Sequence, residues 1–434
     1  VFAGKPAHRA GLRVADLILE VDGIETKDLQ LDEVIDLLRG SPGTNVSVTV
    51  LHAGDSQKTT YNFKRETVTI SPVPYYGMLN DNIAYIRLTR ESENCGEEVK
   101  AALKELSDSY KFKGLVFDLR GNEGGYFKEA VKIANLFIEK GELLVSVRGK
   151  ENDSSRYAAY NAIYPTTPLV LLIDNYTASS GEILAGAIQD NDRAVIIGQK
   201  SFGKGLVQEI FDMPQGTQLK LTTSHYYTPS GRCIQAFEYT DGDKHQFADS
   251  LKKIFKTKNG RNVYSNGGIT PDIVTDYFEP PAIIQSLLND LLIFDFATQY
   301  KLNHSSINPA KSFYLTDDDF SDFVKFVKSK KFNYQTETEN KLKIIKETAE
   351  KEGCWQSIQA SYLHLEKDLN IIKENELLRN KEMIKHELEK EILYRYYDQA
   401  GRYEASLRSD TEVKKAIEIL LDNTKYKTIL FKKN

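Results

Sequence analysis

The sequence predicts a multidomain α/β protein with a helical C-terminal region, on three observations. Between residues 71 and 280, strand-like and helix-like segments alternate, the pattern of an α/β layer architecture. Two strand candidates, Gly114 to Leu119 (GLVFDL) and Leu169 to Ile173 (LVLLI), are short and almost wholly apolar, as strands buried on both faces are. From Pro280 onward the chain becomes rich in Lys and Glu with spaced Leu and Ile, which reads as helices with solvated faces. At 434 residues the chain is too long for one ordinary core. The expected divisions are a small β-rich module at 1–70, the α/β core at 71–280 and a helical region at 281–434.

In the first division, LRVADLILEVDG suits a half-buried strand ending in the turn signal Asp22-Gly23. Leu31, Val34, Ile35 and Leu38 have helical spacing, and Gly40-Ser41-Pro42-Gly43 stops that helix. Thr44 to Leu51 alternates as a strand, with Val46, Val48 and Val50 on one side. At Lys5-Pro6-Ala7, Ala10-Gly11-Leu12, Asp16 and Val21-Asp22-Gly23 the module resembles a PDZ domain. The resemblance implies capture of peptide C-termini as an added strand beside a helix. Ala15 stands where that family usually has Gly, and its carboxylate-binding loop would lie ahead of Val1.

The second division opens on a strand at Ile83 to Leu88 and a helix at Cys95 to Tyr110, with Val99, Leu103 and Leu106 inward. A helix from Phe127 to Ile138 follows the Gly114 strand, and Ala194 to Ile197 is a further strand. In the third, Ile284 to Tyr300 reads as one amphipathic helix. The stretches Leu342 to Ile345 and Leu365 to Leu378 carry the charged helical pattern, and Val413 to Leu421 (VKKAIEILL) has an apolar face able to dock on the rest of the protein.

Composition narrows the function classes. A net charge of −5 with no long basic run argues against nucleic acid as the main partner. No apolar run reaches the roughly 18 residues of a membrane span. The first residues, VFAGKPAHRAG, have neither an initiator Met nor a signal-peptide apolar region; a trimmed chain is expected, with any export signal upstream. Cys95, Cys233 and Cys354 are far apart, with the spacing of neither a disulfide framework nor a zinc site.

Three segments carry chemistry. In Asp118-Leu119-Arg120-Gly121-Asn122-Glu123-Gly124-Gly125 a buried strand runs into a Gly-rich turn before a helix. Backbone N–H groups freed there suit an anion, either a phosphate or the oxyanion of acyl transfer. In Asp174-Asn175-Tyr176-Thr177-Ala178-Ser179-Ser180-Gly181-Glu182 another strand feeds a turn and an apolar helix. Ser179 or Ser180 would either cap that helix or present a hydroxyl beside the next N–H, as a nucleophile elbow does, although G-x-S-x-G is absent.

The third segment is Gly198-Gln199-Lys200-Ser201-Phe202-Gly203-Lys204-Gly205. Gly198 to Lys204 fits G-x-x-x-x-G-K, but Gly205 replaces the Ser or Thr that holds magnesium, and LVQEIFDM lacks helix character. Ser201-x-x-Lys204 has the spacing of penicillin-recognising enzymes, which needs a helix that Gly203 and Gly205 disfavour. A lysine acts as a base only when neutral, which burial among apolar neighbours such as Phe202, Leu206 and Val207 promotes. The rival base is His225, in Thr222-Thr223-Ser224-His225-Tyr226-Tyr227.

Taken together, DLRGNEGG, TASSGEILAGAIQD, GQKSFGKGLVQ, YYTPSGRCIQ and GGITPDI, in this order after a PDZ-like module, closely resemble the C-terminal processing, or tail-specific, serine proteases. The helical tail is similar to that of the longer bacterial members. This resemblance implies a crotonase/ClpP-like core of ββα units and a Ser/Lys dyad. The family usually reads T-A-S-A-S-E, so Ser180 takes the place of Ala and Gly181 that of the second Ser. The family's nucleophile lies three residues before the Glu and twenty-five before the base, which places it at Ser179, with Glu182 and Lys204 in register.

Carried over in the same way, Lys204 is the general base, Gln208 the residue that orients it, and the oxyanion hole uses the N–H of Ser180 with Gly124 or Gly125. No metal or organic cofactor is implied. Substrates would be unfolded or flexible protein C-termini, guided by the PDZ-like module, in a bacterial envelope compartment. The alternative reading is a PDZ-guided peptide- or ligand-binding protein on the same fold with a dispensable site.

Overall fold

In the computed structural model, which describes residues 1–150, 153–240, 243–276 and 278–431, the two apolar runs lie side by side at the middle of a six-stranded sheet. Its strands, in order, are Ile273–Val274, Val195–Gly198, Leu169–Ile173, Gly114–Asp118, Ile83–Arg87 and Tyr75–Met78. Neighbours run parallel except for the last pair, which is antiparallel. Leu171 sits opposite Ile196 on one side and Phe117 on the other.

Every residue of the three central strands is buried, so both faces of the sheet need cover. One face packs Leu115, Phe117, Leu171 and Ile196 against the helices Cys95–Ser109, Phe127–Ala134 and Ser180–Asp190 through Leu103, Ile133 and Leu184. The alternate residues Val116, Val170, Leu172 and Ile197 are equally buried and point to the opposite face. Helix Thr411–Leu421 runs beside those strands and buries Val413, Ala416, Ile419 and Leu420. Gly114 leaves room for it, since a Cβ there would stand 3.1 Å from Leu420. The apolar face read from Val413 to Leu421 is thus a lid on the sheet.

Two compact units result, one of Ile70–Tyr277 with Ser409–Asn434, the other of Val1–Thr69 with Phe278–Arg408. Residues 409–431 therefore belong in space with the α/β unit. That unit also holds an antiparallel sheet ordered Leu206–Asp212, Gln218–Tyr227, Leu143–Gly149 and Asp153–Tyr157. The helix expected from Phe127 to Ile138 ends at Ala134. Asn135 turns aside there, donating to Tyr160 O at 2.8 Å and accepting from Ala159 N at 2.8 Å. Leu136, Phe137 and Ile138 stay buried without helical structure.

In the other unit, the antiparallel sheet Ile24–Glu25, Leu17–Val21, Asn45–Leu51 and Lys58–Lys64 closes on Leu12, Val21, Val46, Val48 and Val50. The period-two reading of the valines is what the strand uses. Ala15 has φ 71, a left-handed conformation that glycine adopts without strain, which accounts for the glycine usual at that position. The single helix expected from Ile284 to Tyr300 is two, Ala282–Asn289 and Leu292–Asn303. Leu291, at φ 59, turns the chain so that Ile283, Ile284 and Leu287 reach the same core as Ile293 and Phe296. In the charged stretches Leu342 is buried while Ile344, Ile345, Leu365 and Leu378 are exposed. Among the described residues no helix is long and apolar enough to cross a membrane.

Candidate active site

The three segments singled out in the sequence leave the carboxyl ends of three adjacent strands, Gly114–Asp118, Leu169–Ile173 and Val195–Gly198, where open α/β sheets place their sites. Hydrogen bonds stitch them together. The Asp174 carboxylate accepts from Gly121 N and Thr177 N, each at 2.9 Å. Thr177 Oγ1 donates to Leu119 O at 2.9 Å, Ala178 N to Asn122 O at 2.9 Å, and Phe202 N to Thr177 O at 3.0 Å.

The Gly-rich turn is anchored at its root by a buried charge cluster. Asp118 receives Tyr85 Oη at 2.7 Å, Arg87 at 2.6 Å and Arg120 at 2.6 Å. Burial pushes the Asp118 carboxyl up, but the two guanidiniums outweigh it and hold the group well below the usual carboxylate range. Arg120 also reaches Asp410 at 2.7 Å and Glu412 at 2.8 Å on the C-terminal segment.

Ser179 occupies the N-cap position of helix Ser180–Asp190, as a capping serine would. A cap that served only the helix would rest in the extended region, whereas Ser179 has φ 54 and ψ −119. This conformation is costly for a residue with a side chain and persists only where its surroundings impose it. Two contacts impose it: Ser179 N donates to Glu182 at 2.9 Å, and the buried Tyr226 hydroxyl donates to Ser179 O at 3.1 Å. Gly124, at φ 95, lies against the same turn. A Cβ on it would stand 2.8 Å from Ser179 Cβ and 3.0 Å from Ser180 N, so only glycine lets the two turns meet.

Lys204 is half-buried and is fixed through its backbone. Its N–H donates at 2.8 Å to Glu182 Oε2, the same oxygen that accepts from Ser179 N. Glu182 Oε1 accepts from Ser201 Oγ at 2.5 Å and from Gly203 N at 2.7 Å. Ser201 is thereby a brace, its Oγ also accepting from Ile269 N at 2.6 Å. The residues after Lys204 form the strand Leu206–Asp212, not a phosphate-binding helix. Gln208 is exposed on that strand, at a break in register between Val207 and Gln208, the kind of bulge that re-aims a side chain. Among the described residues its amide has no hydrogen-bond partner, Lys204 included. His225 is exposed on the facing strand, opposite Leu206, and Phe202 is exposed with its ring against Phe237.

Ser180 and Gly124 share a further partner that the sequence reading missed. Glu91, fully buried, accepts from Ser180 Oγ at 2.9 Å and from Asn122 Nδ2 at 3.0 Å. Asn122 Oδ1 in turn accepts from Gly124 N at 2.8 Å. Gly125 is pressed against Glu91, whose carbonyl oxygen would lie 2.2 Å from an added Cβ. Among the described residues Ser180 N and Gly125 N donate to no protein acceptor.

Burial pushes Glu91 and Glu182 each up to about 7 from 4.5, their hydrogen bonds offsetting part of the rise. Between those values the folded protein holds protons that the unfolded chain has released, so stability falls as pH rises through the window. At 1.36 kcal/mol per pH unit, each carboxyl removes about 3 kcal/mol between pH 4.5 and 7. The urea midpoint is expected to fall from pH 5 to pH 8; a midpoint that rises over this range would contradict burial as the governing cause.

Residues 82–241 match the model of peptidase family S41, residues 283–420 that of the probable PDZ-protease C-terminal helical domain, and residues 1–51 that of the PDZ domain. Residues 82–241 thus carry the pattern of peptidase family S41. Similar curated proteins include the carboxyl-terminal-processing protease of Synechocystis, 37% identical over 52% of this chain and 54% of its own length. The carboxy-terminal-processing protease of Bartonella bacilliformis is 38% identical over 54% of this chain and 55% of its own. This chain thus spans about half the length of the curated relatives it matches. A solved photosystem II D1 C-terminal processing protease is 31% identical, covering 62% of this chain and 65% of its own, with a TM-score of 0.39.

Proposed function

We propose that this chain is a serine endopeptidase that hydrolyses peptide bonds near the C-termini of protein substrates through a Ser179/Lys204 dyad and an acyl-enzyme. The observation that carries this reading is Glu182 Oε2, a single buried oxygen that holds the backbone N–H of both Ser179 and Lys204. The strained backbone of Ser179 supports it, since strain of this kind gathers at reactive turns.

In the proposed reaction Lys204 Nζ, neutral, takes the proton from Ser179 Oγ, which attacks the peptide carbonyl carbon. The carbonyl oxygen becomes an oxyanion held by the N–H of Ser180 with that of Gly125, since of the two glycines expected there Gly124 donates its N–H to Asn122. Collapse breaks the C–N bond, and Lys204 returns the proton to the leaving amine. Water, deprotonated by the same lysine, then attacks the ester carbonyl; collapse breaks the C–Oγ bond, releases the new C-terminal carboxyl, and Lys204 returns the proton to Ser179 Oγ. Gln208 turns to the lysine when substrate binds, since such hydrogen bonds tighten only in the complex. The PDZ domain presents unfolded or flexible tails to this site, in a bacterial cell envelope.

The test is cleavage of an unfolded protein ending in an apolar tail, with fragments read by mass spectrometry. Cuts close to the C-terminus by the parent and by His225→Ala, and none by Lys204→Ala, are expected. Cleavage by Lys204→Ala at the parent rate would sink the dyad. Tail binding without any cleavage by the parent would instead favour a binding protein on this fold.

A further inference from the structure

We infer that Glu91 is a positioning residue for the oxyanion-binding turn, gripping both of its halves through Ser180 and Asn122. The inference rests on the peptidase reading above and names a residue that no motif in the chain marks.

Glu91 belongs to neither of the two turns it joins. It lies beyond the strand Ile83–Arg87, on a segment bridged to Gly125. One carboxylate oxygen takes the hydroxyl of Ser180, the residue whose own N–H is offered to the oxyanion; the other takes Asn122, whose side-chain oxygen holds Gly124 N. The main chain of Glu91 grips the same turn, its oxygen accepting from Tyr126 N at 2.6 Å. Ser180 and Gly124 are therefore tied to one carboxyl by paths of one or two hydrogen bonds, and Gly125 is bridged to the main chain of the same residue.

A structural role alone would not account for the choice of residue. Among the described residues no lysine or arginine pairs with the carboxyl; hydrogen bonds from Ser180 and Asn122 are its stabilising side-chain partners. A buried, cation-free carboxylate is costly to stability, and apolar residues in place of Glu91 and its two side-chain partners together would hold the fold at least as well. What the carboxylate supplies is two acceptor directions at once, which fixes Ser180 on one side and, through Asn122 and Gly124, the turn that carries the free N–H of Gly125 on the other. Preorganised donors of that kind act on the transition state and not on the bound substrate.

Ser180 thus has a part distinct from that of Ser179. Its hydroxyl is spent on Glu91 and is unavailable as a nucleophile, while its N–H remains free.

The experiment compares the full chain with Glu91→Gln, Ser180→Ala and the double variant, using Ser179→Ala as control. Steady-state cleavage of a tail peptide is measured alongside inhibition by a peptide aldehyde, which forms the oxyanion, and by the product peptide, which does not. Glu91→Gln is expected to lower kcat about 10- to 100-fold, with KM within about twofold, and to weaken the aldehyde in proportion to kcat/KM. Product affinity stays unchanged. The double variant loses no more than about threefold beyond the worse single variant, because both cut the same link. A Glu91→Gln enzyme with parental kcat and aldehyde affinity would overturn the inference. So would a loss shared equally by aldehyde and product. Should Glu91→Gln fail to fold, Ser180→Ala carries the same comparison. An active Ser179→Ala control would instead overturn the peptidase assignment, leaving the two failures separable.

Discussion

Ser179→Ala is expected to lower cleavage of an unfolded tail by about 10⁴-fold or more, as loss of a catalytic nucleophile does elsewhere. The alanine keeps the turn, because the contacts that impose φ 54 on residue 179 are made by its backbone, to Glu182 and Tyr226. Stability should therefore change by less than about 1 kcal/mol, which separates chemistry from folding. The neighbouring serine provides the contrast. Ser180 is buried with its hydroxyl on Glu91, so Ser180→Ala lowers the rate only about 10- to 100-fold. A fluorophosphonate should label the parent at Ser179 and leave Ser179→Ala unlabelled. Equal losses in the two alanine variants, or labelling at Ser180, would reverse the assignment between them.

The route from sequence to this site was uneven, for physical reasons. Gly114–Asp118 and Leu169–Ile173 were legible as central strands because a strand buried on both faces has no polar side to mask its pattern. The grouping of the three turns followed, since a parallel sheet sends the carboxyl ends of its strands to one edge. Helix ends were less legible. The stop at Asn135 and the turn at Leu291 depend on tertiary partners that local spacing does not encode.

Glu91 left no trace, because a carboxyl in the polar run RESEN looks like any solvated residue until the fold buries it. Glu182 did leave one. It is the sole charge in the helix opening SGEILAGAI, at the third position of a capping box after Ser179. Spacing marked it, yet its grip on Lys204 needs the return of the chain from the next strand.

Glu182→Ala should accordingly damage both stability and rate. Four donors converge on that carboxyl, Ser179 N, Lys204 N, Gly203 N and Ser201 Oγ. Each buried donor left without a partner costs about 1–3 kcal/mol. Relief of the buried charge and entry of water return part of this, leaving a net loss of about 3 kcal/mol or more. The rate should fall about 10³-fold even where the protein remains folded, since the backbones of Ser179 and Lys204, the proposed nucleophile and base, lose their common anchor.

Glu182→Gln separates the two effects. Its amide oxygen still accepts, but its NH₂ faces donors, so one pair of contacts survives and the other is repelled. Because the amide does not titrate, the decline in stability from pH 5 to pH 8 becomes shallower than in the parent. Urea unfolding and kinetics on the same preparations test this. A Glu182→Ala enzyme with kcat within about threefold of the parent would show that Ser179 and Lys204 are placed by something other than this carboxyl, and the carboxyl would then be a structural brace for Ser201 and Gly203 alone.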